Sequence, residues 1–142
     1  LQLLKQIQKS RGTSILLITH DLGVVADMAD DVVVMYLGRI VEKGSAEQVF
    51  ECHRHPYTQG LFNSVPNPLE DGQTLLDSIP GSVPDYSQAP KGCPFRNRCP
   101  QEMYICRFEP RPVEIEEGHE VSCWLWIEDI PEGLEIADEP EL

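Results

Sequence analysis

Residues 14–44 decide the fold, and they read SILLITHDLGVVADMADDVVVMYLGRIVEKG. The run at 14–19 is almost wholly apolar, which is typical of a strand buried on both faces of a parallel sheet. Asp21 follows that run and is placed to cap a short helix that ends near Met28. The stretch therefore begins with a strand and then a helix, the order expected of an α/β domain.

A β-hairpin is predicted for the second half of this stretch. Residues 31–36 are rich in valine and favour a strand, and residues 39–43 favour another. Leu37 and Gly38 lie between the two as a turn of the length that most often joins antiparallel strands. We expect this hairpin at an edge of the sheet.

Helices are predicted on both sides of residues 14–44. Apolar residues at helical spacing within residues 1–11 predict a helix that Gly12 ends. Ser45 begins a capping-box pattern for a helix that runs to about residue 51. Pro56 fits the first turn of a further helix. The order helix, strand, helix, strand hairpin and helices predicts the last part of an α/β domain.

The chain is acidic, with 142 residues and a formal net charge of −13. Eleven of its 24 acidic residues lie in residues 113–142, which hold no lysine or arginine. An acidic balance argues against nucleic acid or an anionic membrane surface as a partner. No apolar run approaches the roughly 20 residues of a membrane span. Residues 127–142 contain seven acids and no base, which predicts a disordered tail.

Residues 15–22, ILLITHDL, resemble the end of an ABC-type ATPase domain, as do Ala29-Asp30 and the glycines of the predicted hairpin. In that family the position that His20 matches is the switch histidine, which reaches the γ-phosphate of ATP. The resemblance implies that His20 is a catalytic residue and an ATP contact in the full subunit, with Mg²⁺ as the companion ion. An imidazole can donate a hydrogen bond to a γ-phosphate oxygen or to the attacking water. Without the resemblance, a lone histidine after a strand favours a structural hydrogen-bonding role.

The other parts of a nucleotide site are missing from this sequence. It contains no G-x-x-x-x-G-K-[ST] loop to cradle phosphates and no ABC signature. No apolar strand ending in Asp-Glu precedes residue 1 to hold Mg²⁺ and a catalytic carboxylate. In the family these elements lie upstream, so we expect a C-terminal fragment that does not hydrolyse ATP alone.

The sequence HPYTQGL at residues 55–61 narrows the family, because it resembles the extension that marks oligopeptide and dipeptide ABC importers. The residues themselves predict a helix with Pro56 at its first position and apolar side chains packed inward. Cys52, His53 and His55 form only a weak metal-binding pattern. We therefore expect packing or solvated roles for both histidines and a free thiol at Cys52.

Residues 65–90 hold five prolines and predict an extended linker. Leu75, Leu76 and Ile79 are the apolar residues that would pin it to the preceding domain. We expect the linker to lie along a surface.

Four cysteines follow, with the spacing C-x5-C-x6-C-x16-C. They predict a metal centre whose ligands are Cys93, Cys99, Cys106 and Cys123. The spacing lacks the short knuckles of zinc sites and matches no general iron–sulfur pattern, so both metals stay open on spacing alone. Five of the chain's eleven bases lie in residues 91–111, where their charge would stabilise an anionic site of either kind.

The segment G-C-P-F-x-x-R-C-P, followed by two later cysteines, resembles the C-terminal module of the same importer subunits. That module is associated with a [4Fe–4S] cluster in members of the family. The resemblance therefore implies a [4Fe–4S] cluster on the four cysteines, with zinc as the alternative. It also implies a reducing cytosol, which disfavours disulfides.

The resemblance implies part of the ATP-hydrolysing subunit that powers peptide import, peripheral on the cytoplasmic face of a bacterial inner membrane. Its partners are expected to be a second ATP-binding subunit, membrane-embedded permease subunits and, indirectly, a peptide-binding protein. The alternative is a metal-binding regulatory or interaction module on an inactive ATPase-like scaffold. The predicted parts are the end of an ATPase domain (1–50), a helical importer extension (51–64), a Pro-rich linker (65–90), a small irregular four-cysteine module (91–126) and an acidic tail (127–142).

Overall fold

The computed structural model describes residues 1–64, 79–130 and Leu134. In these ranges the helices are α1 (Gln2–Arg11), α2 (Leu22–Met28), α3 (Ala46–Glu51) and α4 (Pro56–Asn63). The strands are β1 (Asp31–Tyr36), β2 (Arg39–Ser45), β3 (Val113–Glu116) and β4 (His119–Val121). Short 3₁₀ turns occupy Tyr86–Gln88, Arg96–Arg98, Tyr104–Arg107 and Trp124–Trp126. None of the helices described here is long and apolar enough to cross a bilayer.

Side-chain caps begin three of the helices. The Asp21 carboxylate accepts a hydrogen bond of 3.1 Å from the backbone N–H of Val24 and so caps α2. At α3 the Ser45 hydroxyl accepts from the Gln48 N–H at 3.2 Å, and the Gln48 side chain accepts from the Ser45 N–H at 3.0 Å. His55 caps α4, which has a proline at its first position. Each cap satisfies backbone N–H groups that the helix itself leaves unpaired, and the predicted helix starts are confirmed.

The predicted hairpin forms from β1 and β2. Tyr36 pairs with Arg39 across a two-residue turn. In that turn Leu37 has φ 45° and Gly38 has φ 72°. Two consecutive positive φ values match the right-handed twist of the flanking strands, and only a residue without Cβ adopts them freely.

The sheet has four strands in the order β1-β2-β4-β3, and all its pairings are antiparallel. The hairpin β3–β4 adds to β2 through Glu42 opposite Val121 and Lys43 opposite Glu120. Our sequence interpretation missed β3 and β4 and described residues 91–126 as irregular. Their signal was the alternation of apolar and polar residues in VEIE, which precedes a glycine and the short strand HEV.

The predicted strand at residues 14–19 is wrong for the described structure. This segment has no strand hydrogen-bonding pattern, and the side chains of Leu16 and Ile18 are 90% and 91% exposed. A strand buried on both faces needs neighbours on both edges and covering elements on both sides. The described residues supply none of these, and the helices on either side of the segment, α1 and α2, have no buried residue.

The hydrophobic core lies between the β1–β2 hairpin, α4 and the cysteine segment. Phe95 is 1% exposed and contacts Tyr36 edge-on, with ring centroids 5.3 Å apart. Tyr57 of α4 packs on both rings, at 4.8 Å from Tyr36 and 5.3 Å from Phe95. The cluster of buried side chains also includes Val41, Cys93, Ile105, Cys106, Trp124 and Ile127.

Parts of two predicted segments lie outside the described residues. They are residues 65–78 of the linker and residues 131–133 and 135–142 of the tail. Ile79 packs against the core, as predicted for the end of the linker. Leu75 and Leu76 fall in the part that the structure does not describe.

Candidate functional site

His20 lies on the surface, directly before the cap of α2. The backbone N–H of Asp21 donates to the Thr19 hydroxyl at 3.0 Å, which fixes the turn that carries the imidazole. Within the described part of the chain, no hydrogen bond to the imidazole is seen. The ring is therefore accessible to an external group, and its γ-phosphate role stays a prediction.

The four cysteines of the predicted metal centre are all free thiols, and they come from four different turns. Cys93, Cys106 and Cys123 are buried and Cys99 is half-buried. The backbone N–H of Cys93 donates to the carbonyl of Cys106 at 2.9 Å, which joins the first and third of these turns.

Backbone N–H groups point at the sulfur atoms. Gln101 donates to the Cys99 sulfur at 3.4 Å and Met103 to the Cys106 sulfur at 3.5 Å. The Cys93 sulfur receives backbone hydrogen bonds from the two residues after Pro94, and that of Cys123 receives one from Leu125. Such donors stabilise negative charge on sulfur, as the thiolate form of a metal ligand requires.

The environment of the cysteines raises the pKa values of their thiols. Burial raises the pKa of Cys93 to about 11 and that of Cys123 to about 12, and negative charge on the neighbouring cysteines adds to each rise. Burial also raises the pKa values of Cys99 and Cys106. Among the described residues, however, no three His, Cys, Asp or Glu side chains form a group ready to hold a metal ion.

Gly92 permits the close approach of the first and third cysteine turns. Its φ is 83°, and a Cβ at this position would overlap the backbone of Cys106 and Arg107. Any other residue would push these turns apart or force the backbone out of its left-handed conformation. The glycine before Cys93 is therefore a requirement of the local backbone.

A buried carboxylate joins the cysteine module to the β1–β2 hairpin. Glu42 of β2 is fully buried and accepts from the His119 imidazole at 2.9 Å. It also accepts from the backbone N–H groups of Arg54 at 2.7 Å and His55 at 2.9 Å. Sequence reasoning missed Glu42 and His119, because a charged residue in a strand gives no sign of a partner 77 positions away.

The two histidines near Cys52 have packing roles, as predicted. His53 stacks on Phe62 with ring centroids 4.8 Å apart. His55 is 1% exposed, and its Nδ1 accepts a hydrogen bond from the Tyr57 N–H at 3.0 Å. Burial lowers the pKa of His55 to about 4, against an opposing effect of Glu42, so the ring is neutral at pH 7.

Comparisons with known proteins agree with the resemblance. Residues 41–106, which include three of the four cysteines, match the family model described as oligopeptide/dipeptide transporter, C-terminal region. The chain is 46% identical over 126 residues to the dipeptide transport ATP-binding protein DppD of Bacillus subtilis, which is 88% of this chain and 37% of that protein. It is 44% identical over 128 residues to the oligopeptide transport ATP-binding protein OppD of Escherichia coli, which is 90% of this chain and 38% of that protein.

The oligopeptide transport ATP-binding protein OppD of Bacillus subtilis is likewise 46% identical over 132 residues, or 92% of this chain. The chain spans little more than a third of the length of these relatives. The family predicted from the switch-like segment and the HPYTQGL segment is confirmed. The chain belongs to the family of ATP-binding proteins of oligopeptide and dipeptide transporters, and residues 41–106 correspond to the C-terminal region of that family.

Proposed function

We propose that the chain is the C-terminal part of an ATP-hydrolysing subunit that powers peptide import across a bacterial membrane. The observation that carries the proposal is the similarity to dipeptide and oligopeptide transport ATP-binding proteins over nearly nine-tenths of the chain. The subunit would lie on the cytoplasmic face of the inner membrane. Its partners would be a second ATP-binding subunit, membrane-embedded permease subunits and, indirectly, a peptide-binding protein.

In this function His20 contacts the γ-phosphate of ATP bound with Mg²⁺ in the full subunit. Its support is local, since the imidazole is exposed and the Thr19–Asp21 turn holds its backbone. A hydrogen bond from the ring to a γ-phosphate oxygen, or to the attacking water, strengthens as charge develops on that phosphate. His20 therefore acts on turnover more than on ATP affinity.

The same proposal includes a [4Fe–4S] cluster, or alternatively zinc, on Cys93, Cys99, Cys106 and Cys123. Its support is the chemistry of the donors, because none of the four cysteines forms a disulfide and each sulfur accepts a backbone N–H, although the described side chains are not gathered into a metal-holding group. A metal cation would favour thiolates in a place where burial otherwise favours thiols. Such a centre would supply cross-links between distant turns, and the four cysteines would hold it. We assign it no electron-transfer step.

A chimera tests the ATPase role without assuming the length of the natural protein. Residues 1–126 of this chain would replace the matching region of the Bacillus subtilis dipeptide transport ATP-binding protein, with transport and ATPase activity measured in its complex. We expect an active chimera, and we expect His20→Ala to lower ATP turnover by about 10²-fold while ATP binding is retained. An inactive but folded chimera would contradict the function, and unchanged turnover in His20→Ala would contradict the role of the histidine.

A further inference from the structure

A cleft of about 460 Å³ is lined by β3 and by residues 126–129. Its volume falls within the range of about 300–1,000 Å³ that is usual for small-molecule sites. Its lining includes an aromatic ring and charged side chains of both signs, among them Arg54, Arg111, Trp126, Glu128 and Asp129. The cleft therefore suits a ligand that itself carries both a negative and a positive group.

Arg54 is held in place by both of its backbone groups. Its N–H donates to the buried Glu42 carboxylate at 2.7 Å, and its carbonyl accepts from the Trp126 indole at 3.2 Å. The guanidinium lies over the same indole, 5.1 Å from the ring centroid. Its Nη2 is 3.8 Å from the Glu116 carboxylate, which is too long for a hydrogen bond, and the side chain is 36% exposed. A positioned guanidinium is therefore left for an external acceptor.

Three further charged side chains of the cleft form no ion pair within the part of the chain that the structure describes. They are Arg111, Glu128 and Asp129, and all are exposed. Glu114, by contrast, already accepts the backbone N–H of Gly118 at 2.8 Å. The cleft thus offers two guanidinium groups to a carboxylate and two carboxylates to an ammonium group.

The cleft also reaches the backbone of β3. All four residues of this strand line it, and alternate residues of a strand face opposite sides of the sheet, so a cleft that contacts all four lies at the edge. Among the described residues only β4 pairs with β3, which leaves the outer edge open to an extended peptide. The strand is short, and its pairing shifts between Glu114 and Glu116. Such an edge suits a short peptide better than a long partner strand.

We propose that this cleft binds a short peptide with free termini, extended along β3. The terminal carboxylate pairs with Arg54 and Arg111, and the terminal ammonium group pairs with Glu128 and Asp129. A free amino acid would satisfy these charges but would leave the edge of β3 unpaired, so a peptide is the better ligand. The site requires neither ATP nor a transport step. It therefore goes beyond the proposed function, and either can fail without the other.

The test uses the full chain, with trialanine as the probe and calorimetric titration at pH 7, where both termini are charged. N-acetyl-trialanine and trialanine amide each lack one terminal charge, and alanine lacks the extended backbone. The proteins are the wild type, Arg111→Gln, the double variant Glu128→Gln with Asp129→Asn, and Arg39→Gln. Arg39→Gln is the matched control, because Arg39 is an exposed arginine that pairs with Glu109 at 2.7 Å away from the cleft.

We expect the wild type to bind trialanine saturably with a Kd on the order of 1 mM or below, and to bind alanine and both blocked peptides more weakly. Arg111→Gln should weaken trialanine binding by about 5-fold but leave the affinity for trialanine amide unchanged, because that peptide has no carboxylate. The double variant should weaken trialanine binding and leave the affinity for N-acetyl-trialanine unchanged. Arg39→Gln should match the wild type with every probe.

Three results would overturn the proposal. The first is no saturable binding of trialanine to the folded wild type, and the second is binding of alanine as tight as that of trialanine, which would indicate an amino-acid site. The third is an equal loss in Arg111→Gln and Arg39→Gln, which would indicate a general effect of charge. Circular dichroism checks folding, and if Arg111→Gln does not fold, the pattern of the double variant decides.

Discussion

Residues 1–30 and the described residues from 31 to 127 have similarly apolar sequences but different burial. In the first region Leu16 and Ile18 are about nine-tenths exposed, and α1 and α2 have no buried residue. In the second, Val41 and Phe95 are each 1% exposed. The difference lies in partners, because an apolar strand is buried only where other elements cover it. Local sequence predicts which residues are fit for burial, and contacts with other elements decide which are buried.

The second region is stabilised by contacts between segments far apart in sequence. The sheet passes from the β1–β2 hairpin directly into β4 and β3, and Tyr36 and Phe95 share one core across the linker. The division of this part of the chain into an importer extension (51–64), a linker (65–90) and a cysteine module (91–126) stays a prediction. The shared sheet and core indicate that the two parts unfold together.

The largest loss of unfolding free energy is expected at the buried carboxylate of Glu42, which joins the β1–β2 hairpin to β4. Glu42→Gln removes the charge that His119 and two backbone N–H groups contact, and we expect a loss of about 3 kcal/mol in unfolding free energy. Glu120→Gln is the control, since Glu120 pairs with Lys43 at 3.0 Å in the adjacent register position, where both side chains are partly open to solvent (48% for Lys43 and 41% for Glu120). There we expect less than about 1 kcal/mol.

Urea denaturation followed by tryptophan fluorescence measures both losses. Equal losses in the two variants would mean that the buried pair does not hold the cysteine module to the hairpin.

A smaller effect is expected from the protonation of His55. Its pKa is about 4 in the folded chain and 6.5 when unfolded, so the unfolded state binds more protons between these values. Stability is full above about pH 6.5 and is lost as the pH falls towards 4, by on the order of 3 kcal/mol at most.

His55→Asn separates this titration from other acid effects, because asparagine also caps helices but does not titrate in this range. Unfolding free energies of the two proteins, measured from pH 7.5 to pH 4, should converge as the pH falls. Parallel curves would show that His55 is not the group responsible.

The features that sequence predicted correctly are those set by neighbouring residues. Asp21 and Ser45 cap their helices, and Leu37-Gly38 turns the hairpin, because each depends on a few adjacent backbone groups. The strand at 14–19 failed because its burial requires elements that the described residues do not supply. Glu42 forms a hydrogen bond with His119 of β4, and a single sequence does not reveal so distant a partner.

The candidate site shows the same difference between what neighbouring residues determine and what distant contacts determine. Four cysteines were assigned to one centre from spacing and resemblance, and the assignment stays a prediction, because among the described residues no group of side chains is placed to hold a metal ion.

The smallest effect on stability is expected from removing one helix N-cap in each of the two regions. Ser45→Ala should lower the global unfolding free energy by about 1 kcal/mol, because α3 buries Val49 and packs on β2. Asp21→Ala removes an equivalent cap from α2, which buries nothing, and should change the global value by less than about 0.5 kcal/mol. Its effect should instead be local, as faster hydrogen exchange at the Val24 amide. Equal global losses in the two variants would show that residues 1–30 unfold together with the core, and the contrast between the regions would then fail.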